Sequence, residues 1–110
     1  MRIPNADRAV VDLEKLTEYC LNPSHPRGRH KARVFESALG LTLFHAEVLR
    51  GALFDAASEI DPVEGERDEF GQRYVMEFEM TGPAGTAMVR SAWIIRTDEG
   101  FPRLVTCHVI

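Results

Sequence analysis

The chain has few of the features that mark a specialised class of protein. Its 110 residues include only two cysteines, Cys20 and Cys107, at no metal-binding or redox spacing. This excludes a disulfide framework and a zinc site, and it predicts a reducing, cytoplasmic location. No hydrophobic run approaches the ~18 residues of a membrane helix, and the polar start lacks the pattern of a signal peptide, so we expect no membrane contact. Glycine-rich phosphate loops are also absent, and we expect no cofactor.

What is present is the composition of an ordinary soluble domain. Apolar residues make up 45% of the chain and charged residues 27%, which excludes a disordered or collagen-like protein. A chain of this length has room for one hydrophobic core. We therefore predict a single domain over residues 1–110, with a helical part at about 1–60 and an antiparallel sheet at about 63–110.

Apolar residues three and four positions apart predict two or three helices in the first part. The first helix begins after either Asn5 or Asp12. It ends by Asn22, because the proline that follows disfavours helical geometry. The second spans about 29–39 and is followed by a C-terminal glycine, Gly40.

The third helix and the strands complete the predicted fold. Thr42 is the predicted N-cap of a helix that reaches about Glu59. Its predicted inner stripe consists of Phe44, Val48, Leu49, Ala52, Leu53 and Ala56. The period then changes from 3.6 to 2, which predicts an acidic edge strand at 63–68 and strands at about 73–80, 86–96 and 103–110. The predicted class is α+β, with the helices packed on one face of a three- or four-stranded antiparallel meander.

Positive charge is concentrated in one short stretch. Residues 25–33, here named the basic segment, contain four fixed cations, two histidines and no acid, although the net charge is −4 and the pI is about 5.5. Cations in the first turn of a helix, beside free backbone N–H groups, predict an anion site. The predicted phosphate ligands are Arg27, Gly28, Arg29 and Lys31. Alternatively, these cations pair with the acidic second half of the chain.

A second candidate site lies on the sheet face that points away from the helices. Strand alternation places Glu77 and Arg90 there. The last strand can face the core with one of two groups of residues: Val105, Cys107 and Val109, or Leu104 and Ile110. If the first group faces the core, Thr106 and His108 point outward beside Glu77 and Arg90. A carboxylate, a guanidinium and an imidazole on one face would supply a base, a phosphate clamp and an acid for phosphodiester transfer. The alternative is an exposed sheet with cross-strand ion pairs and no activity.

The remaining reactive side chains are predicted to be structural. Cys20 and Cys107 have the sequence context of small core residues, and nothing in that context indicates a lowered thiol pKa. Trp93 is predicted to lie in the core with one partner for its N–H, and His45 at the surface or its boundary.

Several short motifs resemble those of a small bacterial domain family of unknown function. The first motif is Lys15-Leu16, Tyr19, Leu21-Asn22-Pro23, His25-Pro26, Gly28 and Lys31-Ala32. The later motifs are Gly71-Gln72-Arg73-Tyr74, Val89-Arg90-Ser91-Ala92-Trp93-Ile94 and Pro102-Arg103-Leu104-Val105-Thr106. The resemblance covers nearly the whole chain. Members of that family occur alone or at the ends of larger toxin-like and phage-related proteins, and their implied fold is similar to that of barnase- and RelE-like ribonucleases.

The resemblance implies a metal-independent ribonuclease that acts on RNA as the toxin of a toxin–antitoxin-type system. It implies His25, Lys31, Arg90 and Thr106 as catalytic residues, and the predicted outer sheet face adds His108, a position at which an aromatic hydroxyl would also suit the family pattern. Lys31 and Arg90 would hold phosphate, and His25 or His108 would move the proton. A small antitoxin-like protein or a neighbouring domain is the implied protein partner. Two other hypotheses stay open: a non-catalytic module that docks an acidic partner through the basic segment, and a purely structural accessory domain.

Overall fold

The computed structural model describes residues 1–110 and has an α+β architecture. Three helices pack with an open, four-stranded antiparallel sheet whose strands are neighbours in chain order. The strands are β1 (Val63–Asp68), β2 (Gly71–Gly82), β3 (Gly85–Arg96) and β4 (Pro102–Val109). The predicted fold class is therefore confirmed. No helix is long and apolar enough to cross a lipid bilayer.

Each of the three helices combines two kinds of helical turn. Helix α1 is α-helical over Leu13–Lys15 and π-helical over Leu16–Cys20, and α2 is α-helical over Arg29–Val34 and π-helical over Phe35–Leu39. Helix α3 begins with a 3-10 turn, Leu43–His45, and continues as an α-helix over Ala46–Glu59. Asn5 precedes only a separate 3-10 turn, Ala6–Arg8.

Local sequence explains where the helices begin and end. Asp12 occupies the position before α1, so the shorter of the two predicted first helices is the one that forms. The Thr42 hydroxyl accepts a hydrogen bond from the Phe44 N–H, and the Thr42 N–H donates to Nδ1 of His45, which makes a capping box at the start of α3. Gly40 has φ 72°, a left-handed conformation that ends α2 as predicted.

The helices cover one face of the sheet and bury one hydrophobic core. The inner residues of β2 and β3 are those predicted from alternation: Tyr74, Met76, Phe78, Met80, Val89, Ser91 and Trp93. The Trp93 indole N–H donates to the Ser91 hydroxyl at 2.9 Å, and that hydroxyl donates to the Met76 carbonyl at 3.0 Å. These two bonds provide partners for the buried indole N–H and the buried hydroxyl, which would otherwise have none in the core.

The predicted inner stripe of α3 is wrong at two positions. The Phe44 side chain is 96% exposed and that of Val48 is 55% exposed. The residues that face the core are Ala46, Leu49, Leu53, Ala56 and Ala57. An α-helix turns about 100° per residue, so a face centred on Leu49 and Leu53 leaves Phe44 on the opposite side. An exposed aromatic ring therefore marks the start of α3.

Strand β4 combines the two orientations that its sequence left open. The register with β3 shifts between Ala92 and Trp93, so Val105 is the extra residue of a β-bulge. Because the bulge resets the alternation, Leu104 and Cys107 are both buried although they are three residues apart. Cys107 and the half-buried Val109 of the first predicted set therefore face the core together with Leu104 of the second, whereas Val105 and Ile110 are exposed.

Candidate active site

The outer edge of β4 brings together residues that lie far apart in the sequence. Nζ of Lys31, on α2, donates a hydrogen bond to the Thr106 hydroxyl at 2.9 Å. The same ammonium group donates to the Tyr19 hydroxyl at 3.3 Å and lies 4.8 Å from the centre of that ring. Fixing a lysine side chain costs up to about 2 kcal/mol of rotamer entropy. The two hydrogen bonds and the cation–π contact offset this cost and hold the ammonium group at one position.

The loop between α1 and α2 positions Lys31 at this edge. Nδ1 of His25 accepts hydrogen bonds from the backbone N–H groups of Arg27 and Gly28, both at 3.0 Å. The His25 ring also contacts Tyr19 edge-on, with the ring centroids 4.9 Å apart. Gly28 packs so closely on α1 that an added Cβ would overlap the Tyr19 carbonyl oxygen. The loop therefore joins the end of α1 to the start of α2 in a fixed geometry.

Three further polar residues form a row across β2, β3 and β4 on the face away from the helices. Glu77 is the register partner of Arg90, and Arg90 is the register partner of His108. Nε and Nη2 of Arg90 both lie 2.6 Å from Oε2 of Glu77. Thr106 lies two residues from His108 along β4. Thr106, which binds Lys31, therefore connects this row to the lysine.

The position of His108 changes its acid–base behaviour. Burial, followed by the positive charges of Lys31 and Arg90, lowers the pKa of His108 below its usual 6.5, and Glu77 opposes this shift. The imidazole is therefore neutral at pH 7, with a free nitrogen that can accept a proton. A neutral imidazole between two cations is suited to act as a general base towards an anionic substrate.

The charges of this site favour an anion over a metal ion. Two cations, Lys31 and Arg90, flank the single carboxylate of Glu77, which Arg90 already binds. No group of three or more His, Cys, Asp or Glu side chains in the molecule is arranged to hold a metal ion. A phosphate group would meet two fixed positive charges at this place, since ammonium and guanidinium groups are its usual protein partners.

A pair of buried cysteines adjoins the Lys31–Thr106 hydrogen bond. Sγ of Cys20 is 3.9 Å from Oγ1 of Thr106, and Cys107 is the next residue of β4. Hydrogen bonding to the Cys107 thiol lowers the pKa of Cys20, with smaller contributions from Thr106 and Lys31, and the same bond raises the pKa of Cys107. Both cysteines are core residues, as predicted. The sequence gives no sign of the lowered pKa of Cys20, because its main cause is the contact with Cys107, which only the fold creates.

The four fixed cations of the basic segment form no ion pairs. Every ion pair in the molecule involves other residues. The predicted pairing with the acidic second half is therefore wrong: Asp68 binds Arg73 instead, at 2.8 Å. Backbone N–H groups predicted to be free are occupied, since Gly28 donates to the His25 ring and Arg29 donates to the His25 carbonyl at 2.9 Å. An anion at this segment would be held by the exposed side chains of Arg27 and Arg29.

Nearly the whole chain matches one protein family. Residues 2–110 fit the model of DUF6883, which is described as a domain of unknown function. The chain belongs to the DUF6883 family. This agrees with the resemblance to a domain family of unknown function that the motifs indicate. No functionally curated protein is detectably similar to the chain.

The fold of this DUF6883 domain also occurs in a solved structure. It is similar to a chain of the contact-dependent growth inhibition toxin–immunity protein complex from Klebsiella pneumoniae 342, with a TM-score of 0.70. The two chains are 23% identical, and the match covers 92% of this chain and 99% of the other. At this level of identity the likeness establishes a shared fold.

The structure brings together most, but not all, of the predicted catalytic residues of the DUF6883 domain. Those that meet around β4 are Lys31, Arg90, Thr106 and His108. His25 reaches them only through Tyr19, and its Nδ1 is occupied by two backbone N–H groups. Tyr19 itself was not among the predicted site residues. Its place in the first motif was the available signal, because the motif contains Tyr19, His25 and Lys31 together.

Proposed function

We propose that this domain is a metal-independent ribonuclease of the toxin type, with its active site at the outer edge of β4. The observation that carries the proposal is the direct 2.9 Å hydrogen bond between Lys31 and Thr106, two residues from a neutral histidine on the same strand. Residues 75 positions apart in the sequence are thereby held in one polar cluster.

The reaction that fits these groups is attack of a ribose 2′-hydroxyl on the adjacent phosphorus. His108 takes the proton of the 2′-hydroxyl as the new O2′–P bond forms. The P–O5′ bond then breaks, and the leaving oxygen takes a proton from the Lys31 ammonium group. Solvent returns a proton to Lys31 and removes the one that His108 took. The products are a 2′,3′-cyclic phosphate and a 5′-hydroxyl end, so all atoms are accounted for without a metal ion.

The transition state of this reaction carries additional negative charge on the phosphate oxygens. Lys31 and Arg90 are the two cations that can meet this charge. Arg90 binds Glu77 through Nε and Nη2, which leaves its Nη1 available for a phosphate oxygen. Tyr19 and Thr106 orient the ammonium group, and His25 supports Tyr19 from the other side. Each of the predicted catalytic residues therefore has a role, with His25 as a positioning residue.

A toxin-type role is supported by the fold that the domain shares with a chain of a toxin–immunity protein complex. We propose that the domain has a small inhibitory protein partner of the same general kind. The unpaired cations of the basic segment would suit a partner with an acidic surface.

The test is cleavage of a structured RNA by the purified domain in the presence of EDTA. We expect the wild type to cleave and Lys31→Ala and His108→Ala to lose most of the activity. Arg67→Ala and His30→Ala are the controls, because they remove an exposed cation and an exposed imidazole that form no ion pair. Expression of the wild type alone should also slow cell growth. Wild-type protein that leaves every RNA intact would overturn the proposal.

The second candidate function is a non-catalytic module that binds an acidic partner. The absence of any carboxylate partner for the basic segment is the observation in its favour. This function predicts that neither Lys31→Ala nor His108→Ala has a phenotype, whereas Arg27→Ala with Arg29→Ala abolishes partner binding. Loss of partner binding with no RNA cleavage in the wild type would favour it over the ribonuclease.

A further inference from the structure

A groove on the far side of α2 from Lys31 has no assigned role. It has a volume of about 220 Å³ and lies between α2, the loop that precedes it and the start of α3. The floor is apolar and includes Leu21, Pro23, Ala32 and Leu41. The exposed ring of Phe44 forms one wall. The ring and the apolar floor form one continuous exposed patch, the kind of surface that marks ligand-binding grooves.

The α2 side of this groove carries unpaired positive charge. Ala32 and Glu36 line the groove, and Arg29 and Arg33 lie within one helical turn of them on the adjoining exposed face. Neither arginine forms an ion pair. Four residues of α-helix rise about 6 Å, a separation similar to that of consecutive phosphates in an extended nucleic-acid strand. Two cations at that spacing can each meet one phosphate.

We propose that this groove is a binding subsite for single-stranded RNA, in which Phe44 stacks on one base while Arg29 and Arg33 contact the flanking phosphates. Surfaces that bind single strands combine these two features, a cationic track and an aromatic platform. The inference rests on the proposed function, because helix α2 then carries the catalytic Lys31 on one side and this subsite on the other. A bound strand would cross the N-terminal end of α2 between them.

One acidic group in the groove limits what can bind. Glu36 is exposed, forms no ion pair and lines the groove beside Phe44. Its carboxylate repels phosphate from the floor, so the phosphates remain on the arginine side and the base enters the groove. A carboxylate accepts a hydrogen bond from an exocyclic amino group, such as N4 of cytosine. The subsite therefore favours a base that carries an amino group over uracil.

The experiment measures binding separately from cleavage. The probe is a fluorescein-labelled octacytidylate with 2′-O-methyl riboses, which cannot undergo attack by the 2′-hydroxyl, and the readout is fluorescence anisotropy against salt concentration. Phe44→Ala should weaken binding about tenfold, the effect of losing one stacked base. Arg29→Ala with Arg33→Ala should make the slope of log affinity against log salt shallower by about 1.4. Circular dichroism checks that the variants remain folded.

Matched controls and outcomes keep this inference distinct from the ribonuclease proposal. Val48→Ala removes another exposed apolar residue of α3, and Arg67→Ala removes an unpaired arginine on β1; both should bind like the wild type. Binding that depends on Phe44 without any RNA cleavage would support the subsite and overturn the nuclease. Wild-type protein that does not bind the probe, a Phe44→Ala variant with unchanged affinity, or an Arg29→Ala/Arg33→Ala variant with an unchanged salt slope would overturn the subsite.

Discussion

The two edges of the sheet differ in charge, burial and connectivity. At the β4 edge, Lys31 and Tyr19 come from the helical layer and bond to the strand or to each other. At the β1 edge, all six residues of the strand are exposed and most are charged, and the pairing with β2 is irregular between Glu64 and Arg67. The β4 edge of the sheet therefore bonds to the helical layer, whereas every residue of the β1 edge strand is exposed.

The separation of these edges explains why the basic segment stays unpaired in an acidic protein. Three strand spacings of about 4.8 Å place β1 about 14 Å from β4. This exceeds the Debye length of about 8 Å at physiological ionic strength, so the carboxylates of β1 scarcely screen the cations near β4. The net charge of −4 therefore hides a local positive region. Net charge alone would argue against an RNA-binding protein, whereas the clustering of positive side chains near β4 is compatible with one.

The largest expected difference between the two edges is in RNA cleavage. Lys31→Ala removes a cation from the proposed site, and we expect the rate of cleavage to fall about 10²–10³-fold. Arg67→Ala removes a cation from the β1 edge and should leave the rate within about twofold of the wild type, because it lies at the opposite edge of the sheet from the proposed site. Single-turnover cleavage of one RNA by both variants is the measurement. Equal losses in the two variants would show that net charge, not the β4 site, governs activity.

The next largest effect is on stability, where two glycines make a matched pair. A Cβ at Gly28 would overlap the Tyr19 carbonyl, whereas a Cβ at Gly51, on the exposed side of α3, meets no atom within 4 Å. We expect Gly28→Ala to lower the free energy of unfolding by at least about 2 kcal/mol, through backbone displacement at the loop. Gly51→Ala should raise it by about 0.5–1 kcal/mol, since alanine favours helix. Urea unfolding of both variants is the measurement.

Gly28→Ala tests the loop as well as the fold. If the variant folds with unchanged stability, then the close approach of Tyr19 and Gly28 does not position Lys31, and the account of the loop is wrong.

A smaller effect is expected in the titration of His108. Its pKa is lowered by burial first and then by Lys31 and Arg90. Lys31→Met should therefore raise the pKa of His108 towards its usual 6.5, as followed by NMR of the imidazole protons. Because the folded-state pKa lies below the unfolded one, the contribution of His108 to stability is intact above about pH 6.5 and is lost as the pH falls through the folded value. Urea unfolding midpoints measured from pH 7 downward should therefore fall as His108 is protonated. If Lys31→Met leaves the pKa of His108 unchanged, the two side chains are too far apart to interact.

The smallest effect is expected at the β1 edge. Glu66→Ala or Arg67→Ala should change the free energy of unfolding by no more than about 0.5 kcal/mol, because both side chains are exposed and make no ion pair. The same edge should be the first cut in limited proteolysis, around residues 64–71. First cleavage within β3 would contradict the assignment of β3 as a central strand.

The periodicity of the sequence was sufficient to predict the layers of the fold but not every side-chain direction. The alternation in β2 and β3 and the cap at Thr42 are short-range signals that depend on neighbouring residues. The bulge at Val105 could not be seen, because an extra residue leaves the local apolar pattern unchanged while it shifts the pairing with β3. The prediction that Phe44 faces the core follows from its four-residue spacing from Val48, but both residues lie away from the face centred on Leu49 and Leu53 that packs on the sheet.

The candidate site was even harder to predict from local sequence patterns than the side-chain directions. Lys31 and Thr106 each stood out in a motif, yet nothing within either motif indicated that the two side chains meet. Their contact depends on how α2 packs against the edge of β4, a tertiary property. The shift in the pKa of Cys20 has the same origin, because its causes lie on α2 and β4 rather than beside it in the sequence.

The most direct test of the central claim is the chemistry of the RNA ends that the domain produces. A synthetic RNA is incubated with the wild type in EDTA, and the fragments are identified by mass spectrometry. Attack by the 2′-hydroxyl, with His108 as base and Lys31 as acid, predicts fragments that end in a 2′,3′-cyclic phosphate and begin with a 5′-hydroxyl. A single 2′-deoxy residue at the cleaved position should abolish the cut. Fragments with 3′-hydroxyl and 5′-phosphate ends, or an intact RNA, would contradict the account.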